Sequence, residues 1–275
     1  MESKPRLPED GINLSGRSPV REALSLTAGL TAALLVLFLV AGLLVDAAVV
    51  WIPPEREKQF FEGLGEMLAP EESPRSKEIL AKVQPLFEGI LRQWPDAPYP
   101  FELGVIESEH PNALAMPGGR ILITTALMDM TQSENELALV LGHELGHYKN
   151  RDHLRRLGRL VLINVLVGTV LGSQAGADGE QLMGLLSKLK EGSFSRGQEL
   201  EADRFGLELV QKHFGHVAGS WRFFKKIGEL PETPSELGSY FATHPHPEKR
   251  IERIKSLAKE EGWPTTGALT PLPKE

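Results

Sequence analysis

The stretch His143-Glu144-Leu145-Gly146-His147 constrains this 275-residue chain more than any other, because its spacing has chemical meaning only on a helix. Residues four apart on a helix stack on one face, so His143 and His147 can grip a single metal ion. Glu144 then stands about 100° further round, beside the ion and not on it. Two imidazoles and a neighbouring carboxylate are the arrangement of a zinc peptidase, in which the Glu takes a proton from the attacking water. The flanking sequence supports a helix. Ser133-Glu134-Asn135-Glu136 reads S-x-x-E, a capping box that starts one. Leu137, Leu141, Leu145 and Tyr148 then recur at helical spacing as a buried stripe. Gly142 and Gly146 each cost about 1 kcal/mol relative to Ala in a helix interior. Small residues beside the His pair let another backbone, or a substrate, approach closely.

A catalytic zinc usually takes three protein ligands and keeps a fourth position for water. The candidate third ligand lies in Ser195-Arg196-Gly197-Gln198-Glu199-Leu200-Glu201-Ala202-Asp203. Ser195 with Gln198 resembles a second capping box, so a helix starts here and runs through Leu207 and Val210. Glu199 and Asp203 share its face, while Glu201 points elsewhere. Glu199 is the candidate ligand, and Asp203, one turn on, can accept the free ring N–H of a liganding His and fix its tautomer. Taken alone, the same segment also reads as a solvated acidic face, the usual fate of Glu and Asp on a helix.

Four blocks between about residue 100 and residue 251 together resemble a known family. They are Asn112-Ala113-Leu114-Ala115-Met116-Pro117-Gly118-Gly119, the HELGH helix, Ser195-Arg196 through Glu199-x-x-x-Asp203, and Thr243-His244-Pro245 followed by Arg250-Ile251. The chain is similar to the integral-membrane zinc metallopeptidases that include the CAAX prenyl proteases, the HtpX heat-shock proteases, the mitochondrial Oma-type proteases and their bacterial periplasmic relatives. The resemblance implies that Glu199, and not Glu201, is the zinc ligand. It also implies a gluzincin fold with its active-site helix packed on a small β-sheet. Asn112 and Ala113 resemble the family's substrate-binding edge, and His244 matches its His-Pro position. There His244 can hydrogen-bond the oxyanion of the tetrahedral intermediate, swing in as an inhibitory fourth ligand, or serve structurally. Arg250 either pairs with active-site carboxylates or is solvated, and His153 lies around the site or at the surface. His246 takes no role.

Phe101 to Ile106, Asn112 to Ala115 and Ile121 to Thr124 read as short strands, with Pro117-Gly118-Gly119 turning between the last two. A protease holds its substrate extended, and an exposed strand edge does this through main-chain hydrogen bonds. Glu55 to Ala69 and Arg75 to Trp94 read as helices, as does Glu248 to Lys259. The fold class is α+β and mostly helical.

Leu26 to Val45 carries no charge until Asp46, and its 20 residues suit a bilayer core about 30 Å thick. The run exceeds the roughly 7–15 residues of a cleaved signal's apolar region, so it reads as an uncleaved anchor. Lys4, Arg6, Arg17 and Arg21 precede it and only Arg56 and Lys58 lie close behind, which places the catalytic domain outside the cytoplasm. Leu160 to Leu171 is apolar but too short to span; it reads as a core helix or as a membrane-facing lid. A single anchor favours the quality-control branch over prenylated-peptide cleavage. The domains expected are a flexible tail over 1–24, a transmembrane anchor over 25–50, a zinc peptidase domain over 55–262 and a flexible tail over 263–275.

The net charge of −7 gives no reason to propose nucleic acid, and the absence of cysteine excludes disulfides and thiolate ligands. The expected activity is that of a membrane-tethered zinc endopeptidase, with one Zn²⁺ held by His143, His147 and Glu199 and with Glu144 as general base. Unfolded or membrane polypeptides are the expected substrates and the lipid bilayer a partner. The alternative is a zinc-bound but proteolytically silent, chaperone-like membrane protein held shut by His244.

Overall fold

The computed structural model describes residues 18–67, 73–171, 184, 193–229, 243–244 and 247–273. The expected N-terminal tail therefore lies mostly outside the described residues, as do His246 and the small-residue stretch after residue 171. The chain divides into two compact units, Met1–Val45 and Asp46–Glu275.

The first unit is carried by α1, Pro19–Val49, whose 31 residues extend about 46 Å at 1.5 Å each. Ser18 accepts the amide of Arg21 and Pro19 occupies the first turn, so the helix starts six residues earlier than the expected anchor. Leu26, Leu30, Val36 and Leu39 are all more than half exposed, as suits a helix surrounded by lipid. Among the described residues it is the one helix long and apolar enough to cross a bilayer.

In the second unit, α2 (Pro54–Met67) and α3 (Pro74–Leu91) lead to a three-stranded sheet of β1 (Glu102–Ile106), β2 (Ala113–Met116) and β3 (Arg120–Thr124). The order is β1-β3-β2, with β3 parallel to β1 and antiparallel to β2. Gly118 and Gly119 both sit at φ +91°, which only glycine adopts without strain, and they close the β2–β3 turn. Helix α4 (Thr125–Met130) and α5 (Glu134–Lys149) follow, then α6 (Asp152–Leu171), α7 (Arg196–Phe214), α8 (Arg222–Gly228) and α9 (Pro247–Glu260). Helix α7 has the full reciprocal capping box from Ser195 and Gln198, and Gly215 in the left-handed conformation ends it.

Helix α5 is the centre of the core, and more than a stripe of it is covered. Asn135 through Tyr148 are all buried, beneath Phe87 and Ile90 of α3, Ile121 and Ile123 of β3, and Leu207 and Val210 of α7. Its cap differs from expectation. Ser133 accepts the Glu136 amide, but the Glu136 carboxylate does not reach the Ser133 amide: one oxygen accepts the Ser133 hydroxyl at 3.3 Å and the other pairs with Lys226 at 2.7 Å. Helices α5 and α7 cross in near-backbone contact: a Cβ on Gly142 would stand 2.9 Å from Gly206 Cα, and one on Gly146 would stand 2.6 Å from Ala202 Cα. The two glycines admit a helix, not a substrate. That helix carries Glu199 and Asp203.

The expected flexible tail over 263–275 is corrected up to Pro273. The Trp263 amide donates to Ala258, Pro264 accepts the Val217 amide, and Leu272 is buried. Thr270 O accepts the Glu134 amide at 2.8 Å, and the Thr270 amide donates to Asn135 Oδ1 at 3.1 Å. The segment thus satisfies an orphan donor in the first turn of α5, which a proline-rich composition does not announce.

Glu57 of α2 fastens the start of this unit. Its carboxylate is 2% exposed and meets the Gly118 amide at 2.9 Å, His153 Nε2 at 2.8 Å, Arg151 Nη2 at 3.0 Å and the Tyr99 hydroxyl. Burial pushes its pKa up, but His153, the Gly118 amide and Tyr99 outweigh that and hold it below the ordinary 4.5. A carboxylate depressed in the folded state contributes stability that is present above its unfolded pKa and lost as pH falls through the folded one. The melting temperature should therefore fall as the pH drops below 4.5, and Glu57→Gln should flatten that fall. Scanning calorimetry against pH checks both.

Candidate active site

His143 and His147 of α5, Glu199 of α7 and His244 bring one ligand atom each within 4.8 Å of one another, and all four are buried. His143 Nε2 and His147 Nε2 are 3.1 Å apart. Glu199 Oε1 is 3.5 Å from His147 Nε2, and Glu199 Oε2 is 3.5 Å from His143 Nε2. His244 Nδ1 lies 3.1 Å from His143 Nε2 and 3.0 Å from Glu199 Oε1. Glu199 Oε2 is buried with no hydrogen bond. Lone pairs that converge in a dry site repel unless a cation sits among them, and two or three imidazoles with one carboxylate form a donor set that zinc favours. The residues present fit a metal ion.

The outward-facing ring nitrogens are held from behind. His143 Nδ1 is 2.9 Å from Asp203 Oδ1 and 3.1 Å from Arg250 Nη2. Arg250 grips Asp203 with two bonds, Nη2 to Oδ1 at 2.6 Å and Nε to Oδ2 at 3.0 Å. It also reaches Glu199 Oε2 at 3.3 Å and lies over the Phe224 ring. Arg250 is 4% exposed, so of its two readings the structure takes the buried partner. Removing one member of such a buried pair costs about 3–5 kcal/mol.

His147 is held by a residue that the sequence reading did not assign. Its Nδ1 is 3.0 Å from Asp152 Oδ2, and Gln198 Nε2 donates to Asp152 Oδ1 at 2.7 Å. Phe194 stacks on the ring at 3.8 Å. Asp152 opens α6 just after Arg151, whose φ of +56° turns the chain sharply between helices. The only signal in the sequence was a carboxylate five residues past His147. His153 turns away from the site to Glu57.

The two histidines sit in opposite fields. Burial, with Arg250 beside it, pulls His143 down to about 4. Burial also pulls on His147, but Asp152 and Glu199 outweigh it and hold that ring up at about 9. Burial pushes Glu199 up, yet His244, Arg250 and His143 carry it far below the carboxylate range. Glu144 is 1% exposed, and its Oε1 has no hydrogen bond although His244 Nε2 lies 3.5 Å away. A buried carboxylate oxygen left without a donor costs stability.

Strand β2 is an edge of the sheet. The Thr124 amide donates to Asn112 O, which makes that pair the hydrogen-bonded one and turns the Ala113 amide and carbonyl outward. The Asn112 side chain folds back, its Oδ1 accepting the Ala113 amide at 2.9 Å. Asn112 shapes the edge, and the outward backbone groups belong to Ala113 and Ala115.

A family model described as peptidase family M48 matches residues 75–258. A beta-barrel assembly-enhancing protease of Yersinia pestis is 31% identical over 172 residues, 58% of this chain and 35% of that protein. Metalloprotease LoiP of Escherichia coli K12 is 30% identical over 71% of this chain and 75% of its own length. The mitochondrial metalloendopeptidase OMA1 of Danio rerio is 25% identical over 73% of this chain and 44% of its own. The chain thus spans about a third of the length of the first relative and three quarters of the second.

Proposed function

Since the chain belongs to peptidase family M48, we propose that it is a membrane-tethered zinc endopeptidase, and that His143, His147 and Glu199 hold one Zn²⁺. The observation that carries this is the convergence of those three side chains beside Glu144, which is buried and has one oxygen with no hydrogen bond. A bound zinc ion supplies Lewis acidity and lowers the pKa of water from 15.7 toward roughly 7. Glu144 takes the proton as water attacks the scissile carbonyl and delivers it to the leaving amine. Asp203 and Asp152 keep the two imidazoles oriented with their lone pairs toward the metal. The Ala113 carbonyl and the Ala115 backbone groups, turned outward, hold the substrate as an added strand.

The substrates proposed are polypeptides, unfolded or membrane-embedded, in keeping with a relative named for enhancing β-barrel assembly. The protein would sit as a single-pass membrane protein with its catalytic domain outside the cytoplasm. The domain limits proposed are an anchor within residues 19–49 and a peptidase domain that reaches Pro273, supported by the helix and the packed C-terminal segment. The named relatives are proteases, which favours an active enzyme over a silent one.

His244 governs how open the site is. With Nδ1 at 3.0–3.1 Å from two of the ligand atoms, it occupies the position that water needs. This conformation is the resting one, and cleavage requires the ring to leave. In detergent, the full chain should contain one zinc and cleave casein slowly, and His244→Ala should raise that rate. A metal-free wild type would sink the enzyme. A lower rate in His244→Ala would instead make the ring an oxyanion donor.

A further inference from the structure

The apolar half of α6 has no part in the site just described, yet it begins where the catalytic unit meets the membrane. Asp46 is the first charge after the Leu26–Val45 run, so it marks the hydrocarbon boundary. Arg159 of α6 pairs with Asp46 at 2.5 Å, and one helical turn further into the domain on each side, Arg155 and Val50 line the same cleft. The backbone from Asp46 to Val50 leaves the bilayer, so α6, antiparallel to it there, runs from Arg155 to Arg159 toward the bilayer. Beyond Arg159, residues 160–171 carry no charge. Val161, Ile163 and Val167 are 39%, 42% and 49% exposed. Val161 and Ile163 point about 200° apart round the helix, so the exposure is not confined to one face. With Asn164 and Thr169 as the only polar side chains in the run, a segment this apolar belongs inside a protein or inside lipid.

We propose that residues 160–171 of α6 insert into the bilayer leaflet that faces the catalytic domain. Twelve residues reach about 18 Å, enough to enter a core about 30 Å thick but not to cross it. Arg159, half exposed beside Asp46, lies at the point of entry, where a long basic side chain meets lipid phosphates. Trp51 and Phe60, 85% and 64% exposed, are aromatics of the kind found at that interface. Asp152, which holds His147, starts the same helix about 10 Å along its axis from Arg159, which brings the metal site near the membrane. If the chain is the peptidase proposed above, it cuts bonds close to the bilayer.

The chain has no cysteine, which permits single-site labelling of the full protein. Nitroxides at V161C, I163C and V167C, with V36C in α1 and E252C on α9 as references, would be compared in phosphatidylcholine–phosphatidylglycerol vesicles. Collision with oxygen should exceed collision with a water-soluble nickel chelate at 163 and 167, and the ratio should rise from 161 to 167. Position 36 should behave as membrane and position 252 as water. Nickel access at 161–167 equal to that at 252 would overturn the proposal. So would closure to both reagents, which would mean cover by protein. Nickel access at 36 would remove the anchor itself, and the proposal with it, while leaving the peptidase reading to the cleavage assay.

Discussion

Glu144→Gln should retain one zinc per chain and lose peptide cleavage by about 10²–10⁴-fold, the range that one positioned acid–base group contributes. The substitution keeps shape and removes only the ability to accept a proton. Glu144 is not among the four groups that converge on the ion, so metal content should not change. Its Oε1 has no hydrogen bond to lose, so folding should not suffer either. A chain that lost zinc with Glu144→Gln would place the carboxylate on the metal. A chain that kept full activity would need another base, and none of the other carboxylates at the site is free. Glu199 faces the ligand cluster, Asp203 is held by Arg250 and Asp152 by Gln198.

Asp152→Asn should weaken zinc binding by about 10–100-fold, the usual cost of losing a group that orients a metal-bound histidine. The carboxylate accepts the His147 Nδ1 proton and so turns Nε2 toward Glu199 and the metal. An amide can present its NH₂ group to that nitrogen and favour the other tautomer. Chelator competition at fixed pH gives the affinity. The spectroscopic mark is a change in the His147 imidazole ¹⁵N shifts, which a loss of packing alone would not produce. Gln198→Leu, which removes the bond to Asp152 from behind, should move both readouts in the same direction by less.

What the sequence revealed, and what it did not, divides by range. The HELGH spacing, the Ser195–Gln198 cap and the Pro117-Gly118-Gly119 turn are local rules, and each holds in the structure. Asp152 was not legible because its contact with His147 depends on a sharp turn at Arg151, an arginine where glycine would have flagged a positive φ. Glu57 was not legible because its partners come from residues 99, 118, 151 and 153. The C-terminal strap was misread because composition reports proline content and not the helix donor that Thr270 satisfies. The resemblance left three roles open for His244, because a ring on an extended segment can reach the metal only if the tertiary fold brings it there. The fold brings its Nδ1 within 3.1 Å of His143 Nε2 and 3.0 Å of Glu199 Oε1.

The most direct test of the account is the zinc K-edge absorption spectrum of the full chain in detergent. It should show only nitrogen and oxygen neighbours at roughly 2.0–2.2 Å. Multiple scattering should show three imidazoles in the wild type, falling to two in His244→Ala. Three imidazoles and a carboxylate would establish His143, His147, Glu199 and His244 around one ion. Fewer than two imidazoles in the wild type would contradict the assignment of His143 and His147, and with it the reading of this chain as a zinc peptidase.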